Sequence, residues 1–465
     1  MSAPRPGRRQ FLKMGGGLAI AAAGAAANTA AAPPPAAAPG GGAGIVWSNW
    51  SGSQSCRAQA LATPASSADI QQLLANGKGG VRCVGAGHSF SALIPGGDTL
   101  ISLDRMAGLL GHGGTGATLL AGTRLAQASR QLDALGLAFR NLPDIDAQSL
   151  AGAVSTATHG TGAELPAMHA DIEALQLVTA NGRIRDFDAV RHPDYLAAAR
   201  VSLGSLGVLT QLRMQLVPSY RLQRKVVLKP VGQMLELAPA LARAHRHFEF
   251  YYLPFTGYAA AITHDLTSDQ SVLPASSADE DMLGDLRRLR DWAGRFPQLR
   301  RWLAAKFIDA NLSEQARDRS WKLLSTQRPS KFNESECHVP RERGIACVRE
   351  VIAKLEQRNE VFFPLEFRFV KGDSAWLSPF YERDSCSIAV HAAHGEAYAY
   401  LVAELAPIFR RYDGRPHWGK LHGHTAAELA RLYPRWNDFL AVRRELDPGG
   451  RMLNAHLRGL FGIKA

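Results

Sequence analysis

Two glycine-rich segments constrain the fold of this chain more than any other feature. Residues 85–91 read Gly-Ala-Gly-His-Ser-Phe-Ser after a short apolar run, and residues 152–162 read Gly-Ala-Val-Ser-Thr-Ala-Thr-His-Gly-Thr-Gly. Glycine lacks a side chain and tolerates positive φ, so successive backbone N–H groups can converge on a diphosphate. Two such loops predict one elongated cofactor held between them, with the imidazole of His88 beside it.

The composition is that of a globular protein with more than one buried core. The chain has 465 residues, of which 46% are hydrophobic, which predicts about two domains of ordinary size. Its net charge of +12 falls to +8 without the four cations of the first 13 residues. Six arginines are expected to form a solvated helix face: Arg287, Arg288, Arg290, Arg295, Arg300 and Arg301.

The charge pattern argues against nucleic-acid binding. The chain has no dense basic run interleaved with stacking aromatic residues, which nucleic-acid recognition requires. The remaining positive field is compatible with anionic small molecules or with peripheral association with a membrane surface. The sequence carries no signal for an oligomeric state.

The first 40 residues are typical of a targeting segment followed by a linker. Arg8 and Arg9 precede a soft apolar run over residues 15–27 and then alanine- and proline-rich sequence. This order resembles a twin-arginine export signal, with Gly7 where Ser or Thr is usual. The apolar run is too short and too rich in glycine for a transmembrane helix. We therefore expect export of the folded protein to the periplasm or the medium.

The five cysteines predict neither a disulfide scaffold nor a zinc site. They are odd in number and lack Cys-x-x-Cys or Cys/His ligand spacing. We expect buried free thiols, with one disulfide as the alternative in an oxidising compartment. No metal ligands are predicted.

Hydrophobic periodicity predicts a first α+β domain over residues 41–220. Its strongest signals are short apolar strands and one helix, at residues 81–84, 99–103, 119–121 and 125–135. Residues 111–116 also fit the dinucleotide pattern G-x-G-x-x-G. A strand-like run, Ala117-Thr-Leu-Leu-Ala121, follows where that motif needs a helix N-terminus, so we do not interpret it as a cofactor site.

The pattern changes near Tyr220 and predicts a second α+β domain over residues 221–415. Strands are predicted at residues 221–228, 247–252, 361–370 and 385–390, and a helix at residues 234–245. A polar stretch over residues 267–281 and a basic region rich in helix lie between the second and the third of these strands. Residues 416–465 form a C-terminal segment in which the sequence returns to motifs rich in glycine, histidine and tryptophan.

The two glycine loops and four further motifs together resemble FAD-linked oxidases of the vanillyl-alcohol oxidase type, specifically the aldonolactone and alditol oxidase branch. The further motifs are Trp47-Ser-Asn-Trp-Ser-Gly, Ser202-Leu-Gly-Ser-Leu-Gly-Val-Leu-Thr, Leu365-Glu-Phe-Arg-Phe and Pro416-His-Trp-Gly-Lys-Leu-His. Six motifs in the family's order are far more specific than any one of them.

The resemblance implies a two-part FAD-binding domain, an α+β substrate (cap) domain, and a C-terminal segment that packs back on the FAD domain. It also implies a covalent bond between His88 and the 8α carbon of the flavin. It assigns cofactor contacts to Gly85, Ala86, Gly87, His88, Ser89, Phe90, Gly152, Ser155, Thr156, Thr158, His159, Gly160, Gly162, Gly207, Val208 and Lys420.

Glu366 and Arg368 are separated by one residue, so on a strand their side chains emerge from the same face. From spacing alone an ordinary surface ion pair is the better interpretation, because such pairs are common. The resemblance implies instead that both face the flavin. The Glu366 carboxylate would then bind substrate hydroxyls, and the Arg368 guanidinium would balance the charge of the reduced ring.

A hydride delivered to flavin N5 leaves negative charge near N1 and the C2 carbonyl, which a preorganised cation stabilises. The resemblance makes Lys420 that cation, together with Arg368. It also places Ser149 and His391 with Glu366 as substrate contacts, and His159 as a structural residue beside the flavin.

The function that the resemblance implies is oxidation of a sugar-derived carbinol, an aldono-1,4-lactone such as D-arabinono- or L-gulono-1,4-lactone. Ala392 and Ala393 stand where alditol-oxidising relatives have a hydroxyl, which favours lactones over polyols. The electrons would pass to O2, giving hydrogen peroxide, or to another acceptor, with Gly152 or Ala153 as a residue that gates oxygen. The alternatives are an alditol or other alcohol oxidase or dehydrogenase on this scaffold, and a flavin carrier without a carbinol substrate.

Overall fold

The computed structural model describes residues 44–275, 279–308, 312–325 and 330–464. The predicted twin-arginine signal and linker, residues 1–40, lie outside the described residues. Within them, no helix combines the length and the apolar character needed to cross a membrane.

The strands in chain order are β1 (Ile45–Ser48), β2 (Ser55–Ala58), β3 (Ala60–Ala62), β4 (Val81–Val84), β5 (Thr99–Ser102), β6 (Leu109–Gly113), β7 (Gly116–Leu120), β8 (Leu137–Ala138), β9 (Ile172–Val178), β10 (Ile184–Asp188), β11 (Val208–Gln215), β12 (Val217–Pro218), β13 (Arg221–Pro230), β14 (His247–Leu253), β15 (Tyr258–Leu266), β16 (Ser313–Arg319), β17 (Phe332–Pro340), β18 (Leu365–Val370), β19 (Ser385–Ala393) and β20 (Arg415–Pro416).

The α-helices in chain order are α1 (Ser67–Asn76), α2 (Leu125–Asp133), α3 (Leu150–Ser155), α4 (Pro193–Ala199), α5 (Val231–Ala244), α6 (Asp279–Ala293), α7 (Pro297–Phe307), α8 (Ser320–Leu324), α9 (Gly344–Leu355), α10 (Tyr400–Ala403), α11 (Ala406–Arg411), α12 (Ala426–Leu432), α13 (Trp436–Leu446) and α14 (Ala455–Phe461).

The first part of the chain forms two small sheets that present the glycine loops. Strands β3, β5 and β4 make a parallel sheet, and β10, β9, β11, β7 and β6 make an antiparallel one. Helix α1 connects β3 to β4 and begins with a capping box between Ser66 and Asp69. Its Ile70 and Leu74, one turn apart, enter the core. The first glycine loop therefore starts from a fixed point at the end of β4.

The second part of the chain is built on one eight-stranded sheet in the order β16-β13-β15-β14-β18-β19-β17-β20. Alternate residues of its central strands are apolar and pack under α5 and α9, among them Phe250, Phe367, Phe369 and Ile388. The residues between them are polar and point to the opposite side. We call this side the polar face; it comprises Glu249, Tyr251, Glu334, Glu336, Glu366, Arg368 and His391.

The C-terminal helices join the core of the first part. Trp418, Leu429, Trp436, Phe439 and Phe461 belong to the same apolar cluster as the strands beside the glycine loops. This packing brings residues 416–420 to the edge of the polar face, where β20 pairs with β17.

The predicted α+β class is confirmed, and so are most of the predicted strands and helices. The run after residue 116 is strand β7, which pairs with the largely exposed strand β6, so residues 111–116 do not precede a helix. The strand predicted over 361–370 is wrong at its start, because β18 begins only at Leu365. Pro364 has no N–H for the ladder. The five cysteines are free thiols, as predicted, but only Cys337, Cys347 and Cys386 are also buried.

The prediction of a solvated arginine face is wrong for Arg300. Its guanidinium is fully buried, lies 4.2 Å from the centroid of the Phe255 ring, and donates to the Val361 carbonyl at 2.8 Å. A guanidinium can be buried when its donors reach carbonyl oxygens and its plane lies over an aromatic ring. Periodicity within α7 could not reveal these partners, because they come from distant segments.

Candidate active site

One large cavity lies between the two glycine loops and the polar face of the eight-stranded sheet. Its empty space, with the open mouth included, is about 1540 Å³. The lining runs from the first glycine loop past the second to the polar face, so an elongated molecule would contact all three. The predicted cofactor contacts that line it are Gly85, Ala86, Gly87, His88, Ser89, Gly152, Ser155, Thr156, Thr158, His159, Gly207 and Lys420.

The first glycine loop leaves backbone open to the cavity. A Cβ at Gly85 would collide with the hydroxyl oxygen of Ser149, and Gly87 has a φ of +71°, which disfavours other residues. The Gly87 carbonyl accepts a hydrogen bond of 2.8 Å from the Trp50 N–H, which fixes the turn. A rigid loop without side-chain bulk fits close approach by the diphosphate of FAD.

The second glycine loop is shaped by helix α3. Ser149 is its N-cap, and the side-chain oxygen accepts from the Gly152 N–H at 3.3 Å. The Ser149 hydroxyl proton can still be donated into the cavity, which Ser149 lines. Ala153 is fully buried in the core, whereas Gly152 is on the cavity wall. Of the two residues predicted to gate oxygen, Gly152 is therefore the one in a position to do so.

His88 lies against an aromatic wall inside the cavity. Its ring stacks on that of Trp50 with centroids 5.1 Å apart. Burial, followed by the positive charges of Lys420 and Arg124, lowers the pKa of His88 to about 4. The imidazole is therefore neutral at physiological pH, and one ring nitrogen keeps a lone pair.

Glu366 and Arg368 lie side by side on β18, buried at the centre of the polar face. The Arg368 guanidinium donates to Glu366 and Asp144 through Nη2, and to Glu249 through Nε at 3.0 Å. Burial lowers the pKa of Arg368, but the three carboxylates, Asp144 foremost, outweigh it, and the pKa is held well above its ordinary value. This cation stays charged at every physiological pH.

Lys420 brings a second cation to the cavity from the C-terminal segment. Its ammonium group donates to Glu334 on β17 and lies 5.0 Å from the centroid of the Phe90 ring. Glu334 also lies 3.7 Å from Nε2 of His391, whose Nδ1 is 3.0 Å from the Pro364 carbonyl. Because that carbonyl can only accept, Nδ1 of His391 carries a proton, and the ring faces the cavity with Nε2.

His159 is held by two partners on the cavity wall. Its Nδ1 lies 2.8 Å from the Gly160 carbonyl, and its Nε2 lies 3.0 Å from Glu336, which also accepts from the Ser387 hydroxyl. Burial raises the pKa of Glu336, but His159 outweighs burial and holds it well below the ordinary range. Glu336 is therefore ionised and fixes the orientation of the imidazole.

Four predicted cofactor contacts do not line the cavity. Phe90 packs against Phe332 in an apolar cluster, and Val208 is buried in the core on β11. A Cβ at Gly160 would collide with the Leu142 carbonyl, and one at Gly162 with the Leu165 side chain. These two glycines therefore allow the loop to pack closely against neighbouring segments of the chain, and they do not contact a cofactor in the cavity.

The sequence did not predict five polar residues of the site. Asp144, Glu249, Tyr251, Glu334 and Glu336 surround Glu366, Arg368 and Lys420. Charged residues alternate with apolar or small ones in β14 and β17, which is the pattern of a strand with one polar face. This alternation could have predicted the polar face of each strand. Which residues pair across neighbouring strands depends on the strand register, and the sequence alone does not give the register.

Comparison with known proteins agrees with this geometry. Residues 212–460 match the family model described as D-arabinono-1,4-lactone oxidase, and residues 58–188 match that of the FAD binding domain. The solved structure of a solvent-stable cholesterol oxidase superposes with a TM-score of 0.74 at 17% identity, covering 90% of this chain and 98% of that one. At that identity the likeness concerns the fold alone.

Named relatives align over nearly their full length. The L-gulono-1,4-lactone dehydrogenase of Mycobacterium tuberculosis is 35% identical, covering 90% of this chain and 99% of the relative. The L-gulonolactone oxidase of Bos taurus is 30% identical (90% and 98%), and the alditol oxidase of a Streptomyces species is 29% identical (89% and 98%). This chain is therefore a FAD-dependent oxidoreductase that acts on CH–OH groups and belongs to the D-arabinono-1,4-lactone oxidase family.

Proposed function

We propose that this enzyme oxidises a carbinol carbon of an aldono-1,4-lactone, such as L-gulono- or D-arabinono-1,4-lactone. The observation that carries the proposal is the buried Glu366–Arg368 pair, which faces the same cavity as both glycine loops and Lys420. Family membership and the named lactone-oxidising relatives support it. FAD, when bound between the loops, supplies the hydride acceptor.

Residues of the polar face, together with Lys420 and Ser149, bind and orient the substrate. The Glu366 carboxylate accepts a hydrogen bond from the substrate hydroxyl and so fixes the carbinol carbon. Arg368 and Lys420 place positive charge where negative charge develops, which favours the transition state over the ground state. Ser149 donates its hydroxyl proton to a ring or carbonyl oxygen of the substrate. His391 presents Nε2 to the substrate.

The wall beside His391 favours a compact ring over an open-chain polyol. The Phe332 ring lines the cavity beside His391, and the centroids of the two rings are 4.9 Å apart. A linear polyol has a hydroxyl on every carbon and would leave some of them unpaired against this wall. A lactone has fewer hydroxyl groups and can place an edge of its ring against the aromatic side chain.

The test of the proposal is turnover of lactones against polyols by the FAD-loaded enzyme. We expect kcat/KM for L-gulono- or D-arabinono-1,4-lactone to exceed that for xylitol or sorbitol by roughly 100-fold, because unpaired hydroxyls cost about 1–3 kcal/mol each. A higher kcat/KM for a polyol would instead identify the enzyme as an alditol oxidase. Hydrogen peroxide formed in air, against turnover only with an artificial dye, separates an oxidase from a dehydrogenase.

We propose further that FAD is attached covalently to His88. The buried, neutral imidazole supports this, because an uncharged ring nitrogen can form the bond. After acid precipitation, the yellow colour is expected to stay with wild-type protein and to be released from His88→Ala. His112→Ala, at an exposed position of β6, is the control and should retain the colour. Colour released from the wild type would show a dissociable FAD.

We also propose that oxygen is the electron acceptor and that the twin-arginine signal exports the folded enzyme. Gly152 on the cavity wall supports access by oxygen, since it adds no side chain there. The dependence of turnover on oxygen concentration tests the first point, and the distribution of enzyme between periplasm and cytoplasm in cells tests the second.

A further inference from the structure

Tyr251 connects two carboxylates of the active site. Its phenolic hydroxyl donates to Glu366 and lies 3.0 Å from the carboxylate oxygen Oδ2 of Asp144. A phenol has one proton and can donate to one carboxylate at a time. The second contact is satisfied when that carboxyl group holds a proton and donates to the phenolic oxygen. The arrangement is therefore suited to hold one mobile proton between Glu366 and Asp144.

The surrounding charges favour uptake of such a proton. Three carboxylates surround Arg368: Asp144, Glu249 from β14 and Glu366. Behind them, Arg224 of β13 and His264 of β15 line a small chamber together with Asp144, Glu249 and Tyr251. Burial lowers the pKa of His264 to about 3, so it is neutral. Three carboxylates against two guanidinium groups leave one negative charge, which one proton neutralises.

On the cavity side, the groups that face Glu366 already pair with one another. Lys420 pairs with Glu334, next to His391, and the His159 ring contacts Glu336. Neither pair places a cation beside Glu366 without a carboxylate partner of its own. The excess negative charge therefore stays with the carboxylates around Arg368.

Asp144 is more exposed to solvent than Glu366. The Glu366 side chain is 6% exposed, and the Asp144 side chain is 19% exposed. Asp144 lines both the active-site cavity and the chamber behind it. A proton that reaches Asp144 is thus closer to solvent than one held on Glu366.

We propose that Tyr251 and Asp144 form a proton relay that carries the substrate's hydroxyl proton away from Glu366, an inference that rests on the proposed function. As the carbinol is oxidised, the C–H bond breaks and its electron pair leaves as hydride to the bound FAD. The O–H bond breaks, its electron pair forms the carbonyl, and the proton passes to the Glu366 carboxylate. Glu366 then passes a proton to the phenolic oxygen of Tyr251, which gives its own proton to Asp144.

The relay is tested by Tyr251→Phe, which removes the hydroxyl and keeps the ring. Tyr252→Phe is the matched control, because Tyr252 is the next residue of β14, lies on the opposite face and donates to Glu356. Flavin reduction is followed after anaerobic mixing of the FAD-loaded enzymes with whichever lactone or polyol reduces the wild type, at several pH values and in H2O and D2O.

We expect Tyr251→Phe to slow flavin reduction roughly tenfold or more, since positioned proton transfer contributes about 10²–10⁴ and water replaces part of it. Its rate should also depend on pH differently from that of the wild type, and its solvent isotope effect should change. Tyr252→Phe should keep the rate within about twofold and keep the pH profile. Asp144→Asn, which keeps the shape of the side chain, should alter the pH profile in the same way.

A Tyr251→Phe enzyme with the wild-type rate and pH profile would overturn the relay. The relay would also be overturned if both Tyr251→Phe and Asp144→Asn lowered the rate but kept the wild-type pH profile. That result would mean that the two side chains act only through packing. Failure of the proposed function is a different result: the wild type itself would not be reduced by lactones. If a polyol reduces it instead, the relay is tested with that polyol.

Discussion

Replacing Glu366 with glutamine is expected to lower kcat/KM for the lactone by about 10³-fold while leaving FAD bound. The amide keeps the size of the side chain but cannot take the hydroxyl proton. It also replaces a strong, charged acceptor with a weaker one. Arg368 keeps Asp144 and Glu249 as partners, so the polar face should stay folded.

Steady-state kinetics with the lactone measures this effect, and the flavin absorbance spectrum reports whether FAD is retained. Glu356→Gln is the matched control, because Glu356 is also a carboxylate that accepts from a tyrosine, Tyr252, but away from the cavity. If kcat/KM of Glu366→Gln were within about tenfold of the wild-type value, Glu366 would not be the group that accepts the hydroxyl proton.

Replacing Lys420 with methionine is expected to slow flavin reduction by roughly 10²-fold or more, because one preorganised charge contributes on the order of 3 kcal/mol to a transition state. Methionine keeps much of the length and volume of the chain that packs beside Phe90. It also leaves the Glu334 carboxylate without the ammonium group of Lys420, so the cavity beside the flavin becomes more negative. The reduction potential of the bound flavin should therefore become more negative.

Lys420→Arg distinguishes charge from shape. It keeps the positive charge and should recover most of the potential and part of the rate, with the remainder lost to altered geometry. Anaerobic reduction rates and a potential titration with reference dyes measure both quantities. Equal rates and potentials for Lys420→Met and the wild type would show that Lys420 is only the structural partner of Glu334.

The sequence predicted the parts of the fold that depend on local patterns. The strands of the eight-stranded sheet alternate or are strongly apolar, and the glycine loops have a composition that few other structures require. The same-face position of Glu366 and Arg368 followed from their spacing alone. Their orientation towards a cofactor came from the resemblance, because a strand has two faces and spacing does not say which one is buried.

The residues that the sequence did not predict depend on contacts between distant segments. Asp144 reaches Arg368 from a loop 224 positions away in the chain, and Tyr251 meets Glu366 through the pairing of β14 with β18. Arg300 was expected in solvent and is buried because Phe255 and Val361 approach it from elsewhere. Register and packing between elements decide such contacts, and they are set by the whole fold.

We propose that the polar face and the bound flavin together oxidise a lactone carbinol. Anaerobic mixing of the FAD-loaded wild-type enzyme with L-gulono- or D-arabinono-1,4-lactone tests it most directly, with the oxidised-flavin absorbance followed over time. We expect rapid loss of that absorbance in the wild type and loss slower by about 10³-fold in Glu366→Gln. An oxidised flavin that persists in the wild type with every lactone and polyol would contradict it.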